Sequence, residues 1–172
     1  MKEAQTRKYA IRAERSDDAD AIRRITQTAF ALAEHSSGTE GAIVDALRMA
    51  GALAVSLVAT MDDEVVGHIA FSPVTIGAAT GWFGLGPVSV RPDMQKQGIG
   101  GALVGEGLIR LRAMHARGCV VLGDPGYYQR FGFAHDPAIR YEGVPPEYFL
   151  RLSFDGSGAS GKVVYHEGFF AS

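Results

Sequence analysis

The sequence predicts an α/β fold in which a mixed, mostly antiparallel sheet is flanked by helices. Three patterns along the 172 residues support this prediction. Two stretches with helical periodicity follow a short N-terminal strand, and a β-rich middle part has the pattern of a meander. A strand, a helix and a second strand then follow in that order, which predicts a parallel pair of strands with the helix lying across the sheet.

The N-terminal part is predicted to hold one strand and two helices. Residues 9–12 alternate as a strand does, and the polar residues 16–18 suit a helix start, after which apolar residues recur at helical spacing. A break at residues 36–38 precedes a second helix, which Gly51 ends. The buried stripe predicted for this second helix is Ile43, Ala46 and Leu47.

The middle part is predicted to form three strands, over residues 53–60, 65–76 and 82–90, with turns at residues 62–63 and 77–81. Pro87 lies inside the third of these strands. Because proline cannot donate a ladder hydrogen bond, we expect the strand to bulge or splay at this point.

The last part begins with a predicted helix over residues 98–117, which Gly118 ends, and a short strand over residues 119–122. A short helix near Tyr128 and a final hairpin with its tip at residues 155–161 are expected to follow. The predicted buried side of the long helix consists of Leu103, Val104, Leu108, Leu111 and Met114.

Composition limits the classes of protein to consider. Hydrophobic residues make up 47% and charged residues 21% of the chain, which predicts one domain over residues 1–172 with a polar tail at 1–7. The net charge of -2, with scattered basic residues, argues against nucleic acid as a partner. The charged N-terminal region lacks an apolar run, so we expect a cytoplasmic protein without a membrane segment. Whether it forms a homodimer is left open.

A glycine-rich turn between a strand and a helix is the most informative motif. It runs Gln95-Lys96-Gln97-Gly98-Ile99-Gly100-Gly101-Ala102 and follows the strand residues Val88-Ser89-Val90. Such a turn exposes backbone N–H groups at the positive end of a helix dipole, which suits a pyrophosphate. The residues alone leave a second interpretation open, in which the glycines only let the helix pack closely on the sheet.

Two motifs together indicate a family. Residues 95–100 resemble the Q/R-x-x-G-x-G/A signature of the GNAT family of N-acetyltransferases, and Tyr127-Tyr128-Gln129-Arg130-Phe131-Gly132-Phe133 is similar to that family's downstream Y-x-x-x-G-F element. A helix and a strand join the two motifs, as in the family. The resemblance covers most of the chain, with a coenzyme-binding core at about residues 65–133, and points to a bacterial subgroup of predicted acetyltransferases. Residues 123–128, Gly-Asp-Pro-Gly-Tyr-Tyr, depart from the usual family pattern, in which an asparagine often begins this element.

The resemblance implies an acyl-CoA N-acyltransferase fold that holds acetyl-CoA, the cosubstrate, where the sheet splays between the strand of Val88 and the strand of Cys119. It implies direct transfer of the acetyl group to an amine of a small molecule or peptide, without a metal. Tyr128 matches the family's general acid, whereas Tyr127 is expected to pack. The predicted coenzyme contacts are Val88, Ser89, Val90, Gln95, Lys96, Gln97, Gly98, Ile99, Gly100, Gly101, Ala102 and Tyr128.

The attacking amine must lose a proton, so a base is needed. The family's usual acceptor side suggests four candidates: Glu34, His35, Glu40 and His68. Glu40 is preferred because it opens the second helix, although an acid there also simply favours the helix dipole. His68 comes second, since the unperturbed histidine pKa of about 6.5 suits proton transfer. It shares a strand face with Ala70 and Ser72, and a purely structural role is its alternative.

Three other interpretations are weighed against direct acetyl transfer. Cys119 could act as a nucleophile, but it begins an apolar strand without an adjacent activating residue, which favours a buried structural cysteine. A non-catalytic acyl-CoA sensor or interaction module would keep the coenzyme site alone. An unrelated nucleotide-binding protein is disfavoured, because the lysine-then-hydroxyl ending of a P-loop is absent after Gly100. No His, Cys or carboxylate cluster has metal-ligand spacing, so no metal is expected.

Overall fold

The described part of the chain, residues 8–31 and 39–171 of the computed structural model, contains nine β-strands and four α-helices. The strands are β1 (Ala10–Ala13), β2 (Val55–Met61), β3 (Glu64–Ile76), β4 (Ala79–Val90), β5 (Gly118–Leu122), β6 (Ala134–His135), β7 (Ile139–Arg140), β8 (Phe149–Ser153) and β9 (Gly161–Tyr165). The helices are α1 (Ala19–Ala31), α2 (Glu40–Met49), α3 (Ile99–Ala113) and the single turn α4 (Pro125–Tyr128).

The strands form one mixed sheet in the order β1-β2-β3-β4-β5-β8-β6. Neighbours along this order are antiparallel except for the central pair of β4 and β5, which is parallel. Strand β9 pairs with the end of β3, and short β7 lies parallel to β9. The mixed sheet with a central parallel pair, predicted from the sequence, is confirmed.

Strand β4 separates from β5 at Pro87. The parallel ladder joins Trp82–Leu85 to Gly118–Val121 and ends there. On the other side of β4, Phe71 opposes Leu85 but Ile69 opposes Val88, so β4 carries one extra residue, which is a bulge. Beyond Leu85 the edge of β4 that faces β5 pairs with no described strand, so its backbone groups are available to a ligand.

Helices cover both faces of this sheet. Helix α3 packs on one face, where Phe71 and Leu103 are fully buried. It approaches closely at Gly107, since a Cβ there would stand 2.2 Å from the Phe71 ring. Helices α1 and α2 cover the opposite face, where their residues Ile22 and Val44 meet Val58 of β2. The three long helices and the glycine turn at the start of α3 are therefore all anchored to the sheet.

The structure corrects four expectations about individual elements. Helix α3 ends at Ala113 and Met114 is 48% exposed, because the chain turns at His115 with a positive φ of 61°. The turn at 77–81 is shorter, since Ala79 already pairs with Ile76. The last two strands form no hairpin: β8 pairs with β5 and β6, whereas β9 pairs with β3 and β7. In α2, Val44 is buried and Ala46 only half-buried.

Candidate active site

Two cavities lie along the free edge of β4. The loop cavity, about 360 Å³, is bounded by Val90 and by residues at the start of α3. The splay cavity, about 470 Å³, opens where β4 leaves β5 and is bounded by Val88 and Tyr128. Since Val88 and Val90 are two strand residues apart, roughly 7 Å, one extended molecule could reach both cavities along this edge.

The glycine turn presents unpaired amides to the loop cavity. Lys96 and Gly98 have positive φ angles of 64° and 86°, and Gly98 is the N-cap of α3. The Gln95 side chain donates a 3.0 Å hydrogen bond from Nε2 to the Val90 carbonyl, which ties the turn to β4. Ala102 donates its N–H to the Gly98 carbonyl at 3.0 Å, so the N–H groups before it belong to the unpaired first turn of the helix. An anion there meets the positive end of the helix dipole.

Packing within the protein does not require glycine at positions 100 and 101. A Cβ on Gly100 would meet only Val90 Cγ2, at 3.7 Å, and one on Gly101 would come no closer than 3.5 Å, to Tyr127 Oη. Both are ordinary contacts, in contrast to the 2.2 Å clash at Gly107. Of the two interpretations that the sequence left open, the structure therefore favours a ligand that approaches the backbone, since glycine otherwise weakens a helix.

Two basic side chains flank the loop cavity. Lys96 and Arg130 both line it, and no acidic residue does among the described lining residues. The Arg130 guanidinium lies 4.3 Å over the Tyr127 ring and donates from Nε to the Tyr127 carbonyl at 2.9 Å. The sequence analysis did not single out Arg130, although its basic charge within the second motif was a usable signal. The cavity thus has the charge that a pyrophosphate needs.

The predicted coenzyme contacts divide into two groups. Three of them line neither cavity: Ser89 is buried with its hydroxyl 3.4 Å from the Thr26 hydroxyl, Gln97 is exposed, and the Ala102 amide is used by the helix. The others line a cavity. Val88 and Tyr128 meet at the splay cavity, and the loop cavity collects Val90, Gln95, Lys96, Gly98, Ile99, Gly100 and Gly101.

Tyr128 is held at the splay cavity by its short helix. Asp124 caps α4 by accepting the Gly126 N–H at 2.8 Å. The Tyr128 ring is 9% exposed and packs edge-on against Tyr127 and Phe133, with centroids 5.0 and 5.8 Å away. Burial raises the pKa of Tyr128 to about 12, and its neighbours add to the shift. The hydroxyl therefore keeps its proton at neutral pH.

The structure separates the candidate bases. Glu40, the first residue of α2, lines the splay cavity. His68 does not, because its side chain is fully buried where α1 and α2 cover the sheet. Burial lowers the pKa of His68 to about 4, which makes it a weak base. Glu34 and His35 lie outside the described residues.

His68 belongs instead to a polar network between the sheet and α2. Its Nε2 is 2.8 Å from the Ser56 hydroxyl, which is also hydrogen-bonded to the Glu14 carboxylate. A carboxylate can only accept, so Ser56 donates to Glu14 and accepts from the Nε2–H of neutral His68. Arg48 of α2 donates to Glu14 from Nε at 2.9 Å. These contacts join three elements of the fold and give His68 a structural role.

Cys119 is also a structural residue. Its side chain is fully buried in β5, and burial raises the pKa of the thiol, so the nucleophilic thiolate is disfavoured.

Within residues 8–31 and 39–171, no group of three His, Cys, Asp or Glu side chains could hold a metal ion. No helix in that same part of the chain has the length and apolar character needed to span a membrane. The cytoplasmic location stays a prediction.

Comparisons with known proteins agree with this site. The family model of the acetyltransferase (GNAT) domain matches residues 53–135. The uncharacterised N-acetyltransferase YhbS of Escherichia coli K12 is 38% identical over 167 residues, which cover 92% of this chain and 97% of the relative. A crystal structure of YhbS from E. coli in complex with CoA is 34% identical to this chain, with a TM-score of 0.86. The match covers 94% of this chain and 92% of the YhbS chain.

A second solved structure is more similar in sequence. It is a GNAT family acetyltransferase from Brucella melitensis in complex with acetyl-CoA, 52% identical, with a TM-score of 0.85 over 95% of this chain and 99% of that one. Fold, site and likenesses together define an acyltransferase. The chain belongs to the GNAT family of N-acetyltransferases.

Proposed function

We propose that this protein transfers the acetyl group of acetyl-CoA directly to an amine of a small molecule or peptide. The observation that carries the proposal is the free edge of β4, which runs from the glycine turn to Tyr128. The Brucella melitensis relative was solved with acetyl-CoA and the E. coli relative with CoA, which supports the choice of cosubstrate.

The chain offers a separate binding group to each part of acetyl-CoA. Amides of Gly100 and Gly101 bind the pyrophosphate at the helix start, with Lys96 and Arg130 supplying positive charge. The free edge at residues 86–90 pairs with the pantetheine amides. A main-chain N–H of this edge, at Val88, can stabilise the oxyanion that forms when the thioester is attacked, a contact that typically lowers a barrier by about 3 kcal/mol.

Two side chains at the splay cavity handle the protons. Glu40, directly or through water, takes one proton from the ammonium, and the free amine attacks the thioester carbon. The C–S bond then breaks, and the departing thiolate takes the proton of the Tyr128 hydroxyl. The acylated nitrogen still carries an excess proton from the original ammonium group. It passes this proton to the Tyr128 oxygen, which restores the hydroxyl. The products are an amide, free CoA and one proton released from Glu40 to solvent.

Titration with acetyl-CoA, ATP and NAD in parallel, followed by a screen of amines for thiol release, tests the proposal. We expect binding of acetyl-CoA alone and turnover of an amine. Binding of ATP or NAD but not acetyl-CoA would remove the proposed function. Binding of acetyl-CoA with no thiol release from any amine would favour the non-catalytic sensor instead.

The role of Tyr128 has its own test. Tyr128→Phe should lower kcat about 100-fold, the scale of lost general acid catalysis, and leave the acetyl-CoA Kd nearly unchanged. Tyr148→Phe is the matched control, because Tyr148 is exposed and lines neither cavity. A Tyr128→Phe enzyme as fast as its parent would show that water or another residue protonates the thiolate.

A further inference from the structure

The splay cavity has an aromatic wall beyond the reacting groups. At about 470 Å³ it falls within the roughly 300–1,000 Å³ of small-molecule sites, and it receives the thioester end as well as the acceptor. Five rings line it, from α1, from α4 and from the C-terminal third of the chain. They are Phe30, Tyr128, Tyr141, Tyr165 and Phe169.

Three rings of this wall are held in place by packing within the protein. The Tyr165 ring lies over Gly84 of β4, where a Cβ would stand 2.4 Å from Tyr165 Cε1. Its centroid is 4.4 Å from that of Phe169 and 5.2 Å from that of Tyr141. Because these three rings are packed against one another, this part of the wall keeps an apolar shape that does not have to form on binding.

Few of the described residues that line the cavity are charged. Glu40 is the one charged side chain among the described residues that line it, and no arginine or lysine does. One ammonium would face this carboxylate and the aromatic faces, both of which attract a cation. Among the described lining residues, a second ammonium would find no further carboxylate and a carboxylate would find no arginine or lysine, so burying either charge against them is costly.

We propose that the acceptor is a small apolar monoamine: one primary amine on an aromatic or branched alkyl group, without an acidic group. This inference rests on the proposed acetyl transfer. The apolar group of the acceptor packs against the rings of Tyr141, Tyr165 and Phe169, and the ammonium points to Glu40, which takes its proton. Polyamines, aminoglycosides and free amino acids carry extra charges that no described residue of the cavity lining matches.

Acceptor preference is the direct test. With saturating acetyl-CoA, thiol release gives kcat/KM for 2-phenylethylamine, isopentylamine, phenylalanine and putrescine; phenylalanine adds a carboxylate to the first amine, and putrescine brings a second ammonium. We expect at least one of the two apolar monoamines to exceed both phenylalanine and putrescine by about tenfold or more. Preference for phenylalanine or putrescine, or bound acetyl-CoA with no turnover of either monoamine, would overturn the acceptor class. Failure to bind acetyl-CoA would instead overturn the proposed function.

A pair of neighbouring rings supplies matched variants. Phe169 lines the cavity, whereas Phe170 is 63% exposed and does not. Phe169→Ala should raise KM for the preferred monoamine about tenfold, with the acetyl-CoA Kd unchanged, and Phe170→Ala should leave both values at the parent level. If Phe169→Ala fails to fold, Phe169→Leu should still raise KM several-fold. An unchanged KM in a folded Phe169 variant would show that the acceptor does not use this wall.

Discussion

The ring of Tyr128 lies directly against the backbone of Gly123. A Cβ on Gly123 would stand 2.3 Å from Tyr128 Cε2, closer than real side chains come. The Gly123 N–H donates to the Tyr148 carbonyl at 2.8 Å, which fixes the backbone at the end of β5. Since the backbone is held, a side chain at position 123 must displace the Tyr128 ring. Glycine at this position therefore determines where the tyrosine hydroxyl lies.

Gly123→Ala should therefore lower kcat without changing any reacting group. We expect a fall on the order of 10- to 100-fold, because displacement by about 1 Å is enough to disrupt proton transfer. Steady-state thiol release measures it. The same substitution made in Tyr128→Phe should cause little further loss, since the hydroxyl it displaces is already gone. Equal losses in both backgrounds would mean that Gly123 acts by another route.

Gly100→Ala should weaken acetyl-CoA binding and leave the fold intact. The new methyl group meets no protein atom closer than 3.7 Å, but it projects toward the space assigned to phosphate. Relief of the glycine penalty should keep the free energy of unfolding at the parent value or raise it by up to about 1 kcal/mol. Calorimetric titration and urea unfolding measure the two effects.

Gly105→Ala is the matched control for this variant. Gly105 also lies in α3, and a Cβ there would meet nothing within 4 Å. It should gain stability in the same way and bind acetyl-CoA as the parent does. Equal affinity in Gly100→Ala and Gly105→Ala would place the pyrophosphate elsewhere.

Cys119→Ala should retain transfer activity, because direct attack by the amine needs no thiol. The buried side chain is lost from a packed strand, so the free energy of unfolding should fall by about 1 kcal/mol. Activity and urea unfolding are compared at a temperature where the variant is folded. An inactive but folded variant, together with an acetylated cysteine in the parent by mass spectrometry, would establish a covalent route.

His68 should make stability depend on pH. The unfolded chain protonates this histidine as pH falls through about 6.5, whereas the folded protein resists protonation until about 4. The contribution of neutral His68 to the free energy of unfolding is therefore complete above pH 6.5. It is lost as pH falls, and the loss amounts to about 2 kcal/mol between pH 7 and 5. Urea unfolding across this range should show a flatter dependence for His68→Gln.

His115→Gln controls for the loss of any histidine. His115 is exposed on the turn after α3, so its replacement changes no buried side chain. If His68→Gln keeps the parent slope between pH 7 and 5, the buried histidine is not the group responsible.

Much of the site could be predicted from short stretches of sequence. The glycine turn, the tyrosine of the second motif and the bulge at Pro87 each depend on residues close together in the chain. In each case the backbone properties of glycine or proline, or the spacing within a motif, limit what the chain can do locally. The predicted strand, helix and strand around the turn were confirmed for the same reason.

Long-range packing decided the rest. Alternation along β3 predicts that His68 shares a face with Ala70, but not that α1 and α2 bury His68 there and leave it out of the splay cavity. Glu40 and Tyr165 both line that cavity although they lie 125 positions apart in the sequence. The sequence by itself determined the order of the elements and the motifs that lie within single turns, because short-range backbone geometry specifies them. Only the tertiary structure decided which face of each strand is covered and which side chains share a cavity, because those depend on pairing between distant segments that no local spacing records.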